Sequence, residues 1–173
     1  AKVGKDSFDF TPTYRNVKKY LESSNFTFGN LETVTAGRKN GGFTGYPLFN
    51  TPSEYLDALK SVGFDLLVTA NNHSFDRSEK GVLLTIDELI KRNINYVGTY
   101  ISQTDRDSIR LYDINGIKIA VLAYSYGTNG NTIPKGKDYL INLIDFNLIE
   151  RDIKTARSKG AELVLVHYHF GDE

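Results

Sequence analysis

The chain has 173 residues, enough for one ordinary globular domain with a real core. Lys plus Arg number 21 and Asp plus Glu number 21, with no basic run, which argues against nucleic acid or an anionic membrane surface as the partner. Cysteine is absent, which excludes disulfides and thiolate zinc sites, and no apolar run reaches the length of a membrane span.

Strand and helix signals alternate along the chain. Pro12 to Ser24 predicts a first helix, with Tyr14, Val17, Tyr20 and Leu21 on one face. Asn25 to Gly29 reads as a short strand leading into Asn30-Leu31-Glu32. Thr33 to Asn50 has no period and carries four glycines, and a loop that long is more often functional than idle. Thr51-Pro52-Ser53-Glu54 predicts a helix start, with Thr51 as N-cap and Glu54 closing a capping box. Tyr55, Leu56, Leu59 and Val62 form that helix's apolar stripe, and Gly63 ends it.

Phe64 to Ala70 is a buried strand that stops on Asn71-Asn72-His73. A third helix follows from about Glu79 to Arg92, with Val82, Leu83, Ile86, Leu89 and Ile90 inward. Ile94 to Gly98 is the next strand. Asn115-Gly116 joins two further strands, Ile109–Ile114 and Ile117–Tyr124, as a hairpin. Ser125 to Lys137 is a Gly/Asn-rich loop, Asp145 to Ser158 a fourth helix, and Ala161 to Val166 a last buried strand running into His167 and His169. The pattern predicts one α/β domain over residues 1–173, a mostly parallel sheet with helices on both faces and one antiparallel hairpin.

The polar clusters share a place in that topology. Asn30 with Glu32, Asn72 with His73, and His169 with Glu173 each follow the carboxyl end of a predicted strand, the edge where open α/β sheets bind ligands. If the strands are parallel neighbours, the three clusters meet on one rim. Imidazole, amide and carboxylate converging there are what a divalent-metal hydrolytic site needs. Each residue also has a plain reading: Asn71–His73 as a turn, Glu32 and Asp76 as caps, His167 as a core histidine, Tyr46 and Phe49 as packing.

Phe8-Asp9-Phe10-Thr11-Pro12, Gly29-Asn30-Leu31-Glu32, Gly45 to Pro52, Ala70-Asn71-Asn72-His73 and His169 to Glu173 together resemble the CapA-type proteins of bacterial poly-γ-glutamate capsule synthesis. That family is similar to the calcineurin-like metallophosphoesterases, so the resemblance implies a layered α/β sandwich. It also implies that Asn30, Glu32, Asn72, His169 and Glu173 are candidate ligands of a divalent metal (Mn, Fe or Zn). His73 becomes the candidate general acid with Asp76 beside it, and Asn71, Tyr46 and Arg77 the candidate substrate contacts.

Two departures stand out. Asn30 occupies the place of an Asp that bridges two metals, and Ser78 stands where the family commonly has Gly. The family's opening Gly-Asp strand is expected before residue 1 and its Gly-His-X-His segment after residue 173, which marks the chain as a piece truncated at both ends. The resemblance further implies a place at the cell envelope, on the outer face of the cytoplasmic membrane or secreted. Its expected partners are poly-γ-glutamate or another envelope polymer and other capsule-synthesis membrane proteins. Two roles follow: a capsule biosynthesis and export protein with a metallophosphoesterase-like site, or an active metal-dependent hydrolase of a phosphoester or polymer amide.

Overall fold

Residues 2–4 and 7–171 are described by a computed structural model. Strands β1 (Phe28–Asn30), β2 (Leu66–Val68) and β3 (Asn95–Val97) form a parallel sheet with β2 in the middle. Strands β4 (Leu111–Ile114), β5 (Ile117–Ser125) and β6 (Leu163–His169) form a second sheet, β4 antiparallel and β6 parallel to β5. The single mostly parallel sheet of the sequence reading is therefore two three-stranded sheets in layers.

Side-chain alternation along β5 explains the layering. Val121 and Ala123 join the main core with Leu66, Leu67 and Val68 of β2. Ala120, Leu122 and Tyr124 point the other way, onto Ile149 and Ala156 of helix α5 (Phe146–Ser158). Helices α2 (Glu54–Ser61) and α3 (Ser78–Lys91) contribute Leu56, Leu59, Val82, Ile86 and Leu89 to the main core. The stretch after a 3-10 turn at Asp138–Leu140 ties the sheets together: Asn142 N–H donates to Gly98 O (2.9 Å), and Ser125 N–H donates to Asn142 O (2.9 Å).

Several elements differ from the sequence reading. The helix expected over Pro12–Ser24 is a 3-10 turn (Thr11–Tyr14) and a short helix α1 (Lys18–Glu22). Val17 and Tyr20 of its supposed inner face are exposed, so no continuous buried stripe holds one helix together. Helix α2 starts at Glu54 with Ser53 at the N-cap position, because Thr51 is drawn into pairing with Val34 O and with the Thr33 hydroxyl. Ile90, expected inward, is exposed. Helix α4 (Gln103–Asp107) is polar throughout and has no apolar period. Its legible signal is Ser102, whose side chain caps Asp105 N–H at 3.1 Å. The Asn115-Gly116 turn is as expected, with φ of 54° and 85° giving the paired left-handed residues of a type I′ hairpin.

Ser78 opens α3 with φ of 56°. A left-handed L-residue costs roughly 1–2 kcal/mol, against a smaller entropic cost for glycine. Ser78→Gly is therefore expected to stabilise the fold by about 0.5–1 kcal/mol, read as a higher urea midpoint at unchanged m-value. A lower midpoint would show that the Ser side chain compensates its own backbone.

Candidate functional site at the strand rim

Because β1, β2 and β3 are parallel, their carboxyl ends open on one edge, and β6 brings His169 to the same place. Asn71 follows β2 and is wholly buried. Its Nδ2 donates to Leu31 O (2.8 Å) and to Asn30 Oδ1 (3.0 Å), while Asn30 Nδ2 donates to Glu32 Oε2 (2.9 Å). Glu32 Oε1 lies 3.7 Å from His169 Nε2. That nitrogen is also 2.8 Å from Asn72 Oδ1. An amide oxygen only accepts, so the contact holds His169 with a proton on Nε2. Asn30, Glu32, Asn71, Asn72 and His169 thus form one connected cluster across both sheets.

His73, next along the chain, is buried against the edge of the Phe49 ring (centroids 4.5 Å, interplanar 83°). Its Nδ1 is 2.7 Å from Asp76 Oδ2. The carboxylate fixes the tautomer with hydrogen on Nδ1, so any proton His73 exchanges at the rim passes through Nε2. Asp76 Oδ2 also accepts from Phe49 N–H (2.6 Å), and among the described residues its Oδ1 has no hydrogen-bond partner. Asp76 is not the side-chain cap of α3.

The remaining candidates sit differently. Asn71 is spent on Asn30 and Leu31, which places it as a brace beneath the rim. Arg77 is bound into the 40–48 loop, donating to Asn40 O (3.0 Å) and the Thr44 hydroxyl (2.6 Å) and to Asp76 O (2.8 Å). Tyr46 stands at the tip of that loop, 81% exposed. Glu173 lies outside the described residues. His167 is half-buried, and burial, then the charge of His169, pushes its imidazole pKa down. Among the described residues its Nδ1 has no partner.

Three contributors were not singled out in the sequence. Asn50, wholly buried, accepts from Ala36 N–H (2.9 Å) and donates to Gly37 O (3.1 Å) and Gly42 O (2.6 Å), ordering the long loop from inside. Asn129 accepts from Asn72 Nδ2 (3.2 Å), and the Tyr126 ring stacks on that of His169. Polar residues in a Gly/Asn-rich loop look the same whether they solvate a turn or brace a site.

The atoms able to serve a cation are Glu32 Oε1, Asn72 Oδ1 and, once the proton it donates to Asn72 has left, His169 Nε2, from three strand ends. This donor set fits one ion. It does not fit a pair, since Asn30 is neutral where a bridge would need charge and both ends of its amide are engaged. Among the described residues no group of three His, Asp or Glu stands together.

A layered α/β sandwich with its polar cluster on the rim is the fold that the metallophosphoesterase resemblance implies. Residues 1–173 match the family model described as bacterial capsule synthesis protein PGA_cap, and the chain belongs to that family. It is 28% identical over 166 residues to the capsule biosynthesis protein CapA of Bacillus anthracis. It is 26% identical over 171 residues to the PGA biosynthesis protein CapA of Bacillus subtilis. Each match covers 92% of this chain but only 40% and 42% of those proteins. The sulfate thiohydrolase SoxB of Thermus thermophilus aligns with 93% of this chain and 29% of its own at a TM-score of 0.53 and 15% identity, a likeness of fold alone.

Proposed function

We propose that this chain carries the ligand-binding rim of a protein of poly-γ-glutamate capsule biosynthesis and export, working at the cell envelope with other capsule-synthesis membrane proteins. The rim holds one divalent cation, Mn, Fe or Zn, through Glu32, Asn72 and His169, and the cation receives an anionic group of the polymer. The observation that carries this reading is the meeting of Glu32, Asn72 and His169 from three strand ends within 4 Å of one imidazole nitrogen. Charge supports it. The chain is neutral overall, and Arg77 is occupied by the 40–48 loop. A bound cation would supply positive charge at the rim for an anionic group of the polymer. No helix among the described residues is long and apolar enough to cross a membrane.

The His73–Asp76 pair favours a second reading, hydrolysis of a phosphoester or polymer amide at the same rim. A buried imidazole held at Nδ1 is arranged to pass a proton through Nε2 to a leaving group. A cation at the rim would supply a bound water of lowered pKa.

Binding of Mn²⁺ and of poly-γ-glutamate, with and without EDTA, separates these readings when run beside turnover of a phosphodiester probe. The capsule role predicts metal-dependent polymer binding that survives His73→Ala. The hydrolase predicts turnover that falls by about 10²–10⁴ in His73→Ala, the usual contribution of a general acid, with Mn²⁺ affinity retained. Absence of Mn²⁺ binding in the wild type would remove both.

A further inference from the structure

The turn that follows β5 folds back over the rim. Tyr126 N–H donates to His169 O (2.9 Å), and the two rings stack with centroids 6.3 Å apart and an interplanar angle of 15°. Tyr126 Oη donates to Asn129 Oδ1 (3.2 Å), and Asn72 Nδ2 donates to that same oxygen (3.2 Å). Asn72 Oδ1 then meets His169 Nε2 at 2.8 Å. Tyr126, Asn129, Asn72 and His169 therefore form a closed ring of contacts, two from the loop and two from the rim.

An amide has a donating end and an accepting end, and its partners decide which way it faces. Asn129 Oδ1 takes the Tyr126 hydroxyl hydrogen and so stands as an acceptor, to which Asn72 offers Nδ2, turning Asn72 Oδ1 toward His169. The opposite flip would set two amide oxygens against each other and aim Nδ2 hydrogens at the rim. Only the oxygen end of an amide ligates a cation.

We infer that Asn129, backed by Tyr126, is a positioning residue that fixes which end of the Asn72 amide is presented beside His169 and Glu32. The inference rests on the cation-binding reading above for its purpose, though not for its geometry. Residues of this kind, hydrogen-bonded to a ligand rather than to the metal, typically contribute about 10–100-fold to metal affinity. The turn itself is held independently, with Asn131 N–H donating to Thr128 O (2.9 Å) and the Ser125 hydroxyl to Gly127 O (2.8 Å). Removing one side chain should leave it in place.

Asn129 has φ of 51°, so the clean deletion is Asn129→Gly, which removes the amide without straining the backbone. Asn129→Asp keeps the acceptor and tolerates the same φ. Two readouts apply: water exchange of the Asn72 side-chain amide hydrogens by NMR in metal-free protein, and Mn²⁺ affinity by titration. Asn129→Gly is expected to speed that exchange and to weaken Mn²⁺ binding by roughly tenfold or more. Asn129→Asp should restore both to near wild type. Unchanged exchange in Asn129→Gly, or an Asp variant that behaves like the Gly variant, overturns the inference. Should the wild type bind no Mn²⁺, the cation reading fails, and the positioning role is decided by the exchange rates alone.

Discussion

His169→Ala is expected to lower Mn²⁺ affinity by at least about 100-fold, at or beyond the upper end of what losing a second-sphere partner costs. The imidazole is the only nitrogen ligand in the proposed set, and it faces both Glu32 Oε1 and Asn72 Oδ1. Its loss leaves one carboxylate and one amide oxygen, too few to hold an ion against water. Fold stability should hardly move. Ala keeps the β5–β6 pairing at Ser125↔His169 and the carbonyl that accepts from Tyr126 N–H. What disappears is one hydrogen bond and a ring stack at a side chain 17% exposed. That is worth about 1 kcal/mol, or a melting shift of roughly 2–4 °C for a chain of this size. Titration calorimetry beside a thermal melt checks both halves. Wild-type Mn²⁺ affinity in this variant would dismiss the rim as a metal site. A melting loss of ten degrees or more would mean that His169 serves packing.

Glu32→Gln offers a narrower test of the same set. The Gln oxygen can still accept from Asn30 Nδ2, so the cluster keeps its shape and loses only its charge. Cation affinity should fall while the rim stays assembled.

The parts of this molecule legible in the sequence are those with a local cause. Asn115-Gly116 dictates its turn through backbone conformation. The stripes Leu56–Leu59 and Val82–Ile86–Leu89 dictate which faces of α2 and α3 go inward. The placing of Asn30, Asn72 and His169 at or just beyond strand ends was legible for the same reason. That β5 leaves the first sheet and builds another depends on pairing choices far apart in sequence, which no window of residues contains. The rim shows both sides. Asn72 is legible as a strand-end residue, yet the residue that accepts from its Nδ2, Asn129, is 57 residues away. The long loop from Thr33 to Asn50 looked unstructured because its order comes from Asn50, Arg77 and Asp76 rather than from any period.

The rim exists only if the two sheets keep their relative placement, since Asn72 belongs to the first and His169 to the second. The group best placed to hold them is buried and charged. Arg106 of α4 donates from Nη1 to Asp152 Oδ1 of α5 (2.9 Å), from Nη2 to Asp152 Oδ2, and from Nε to Asn142 Oδ1 (3.0 Å). Asn142 in turn donates to Gly98 O beyond β3 and to Ala123 O in β5, and accepts from Ser125 N–H of β5, so it reaches both sheets. Tyr124 Oη donates to Asp152 Oδ2 (2.8 Å), and burial, then that carboxylate, pushes its phenol far up, so it stays a donor.

Asp152→Ala is therefore expected to cost about 3–5 kcal/mol, the usual result of stranding one partner of a buried ion pair. A double replacement, Arg106→Met with Asp152→Leu, removes both charges and should recover much of that loss. The readouts part at this point. Denaturant melts of the single and double variants measure the pair, while Mn²⁺ affinity at a temperature where the double variant is fully folded measures the staple. If Asn142 held by Arg106 sets the distance between the sheets, the double variant regains stability without regaining full affinity. Equal recovery of both would mean that packing between the sheets positions His169 beside Asn72, with the Arg106 guanidinium only filling its own site.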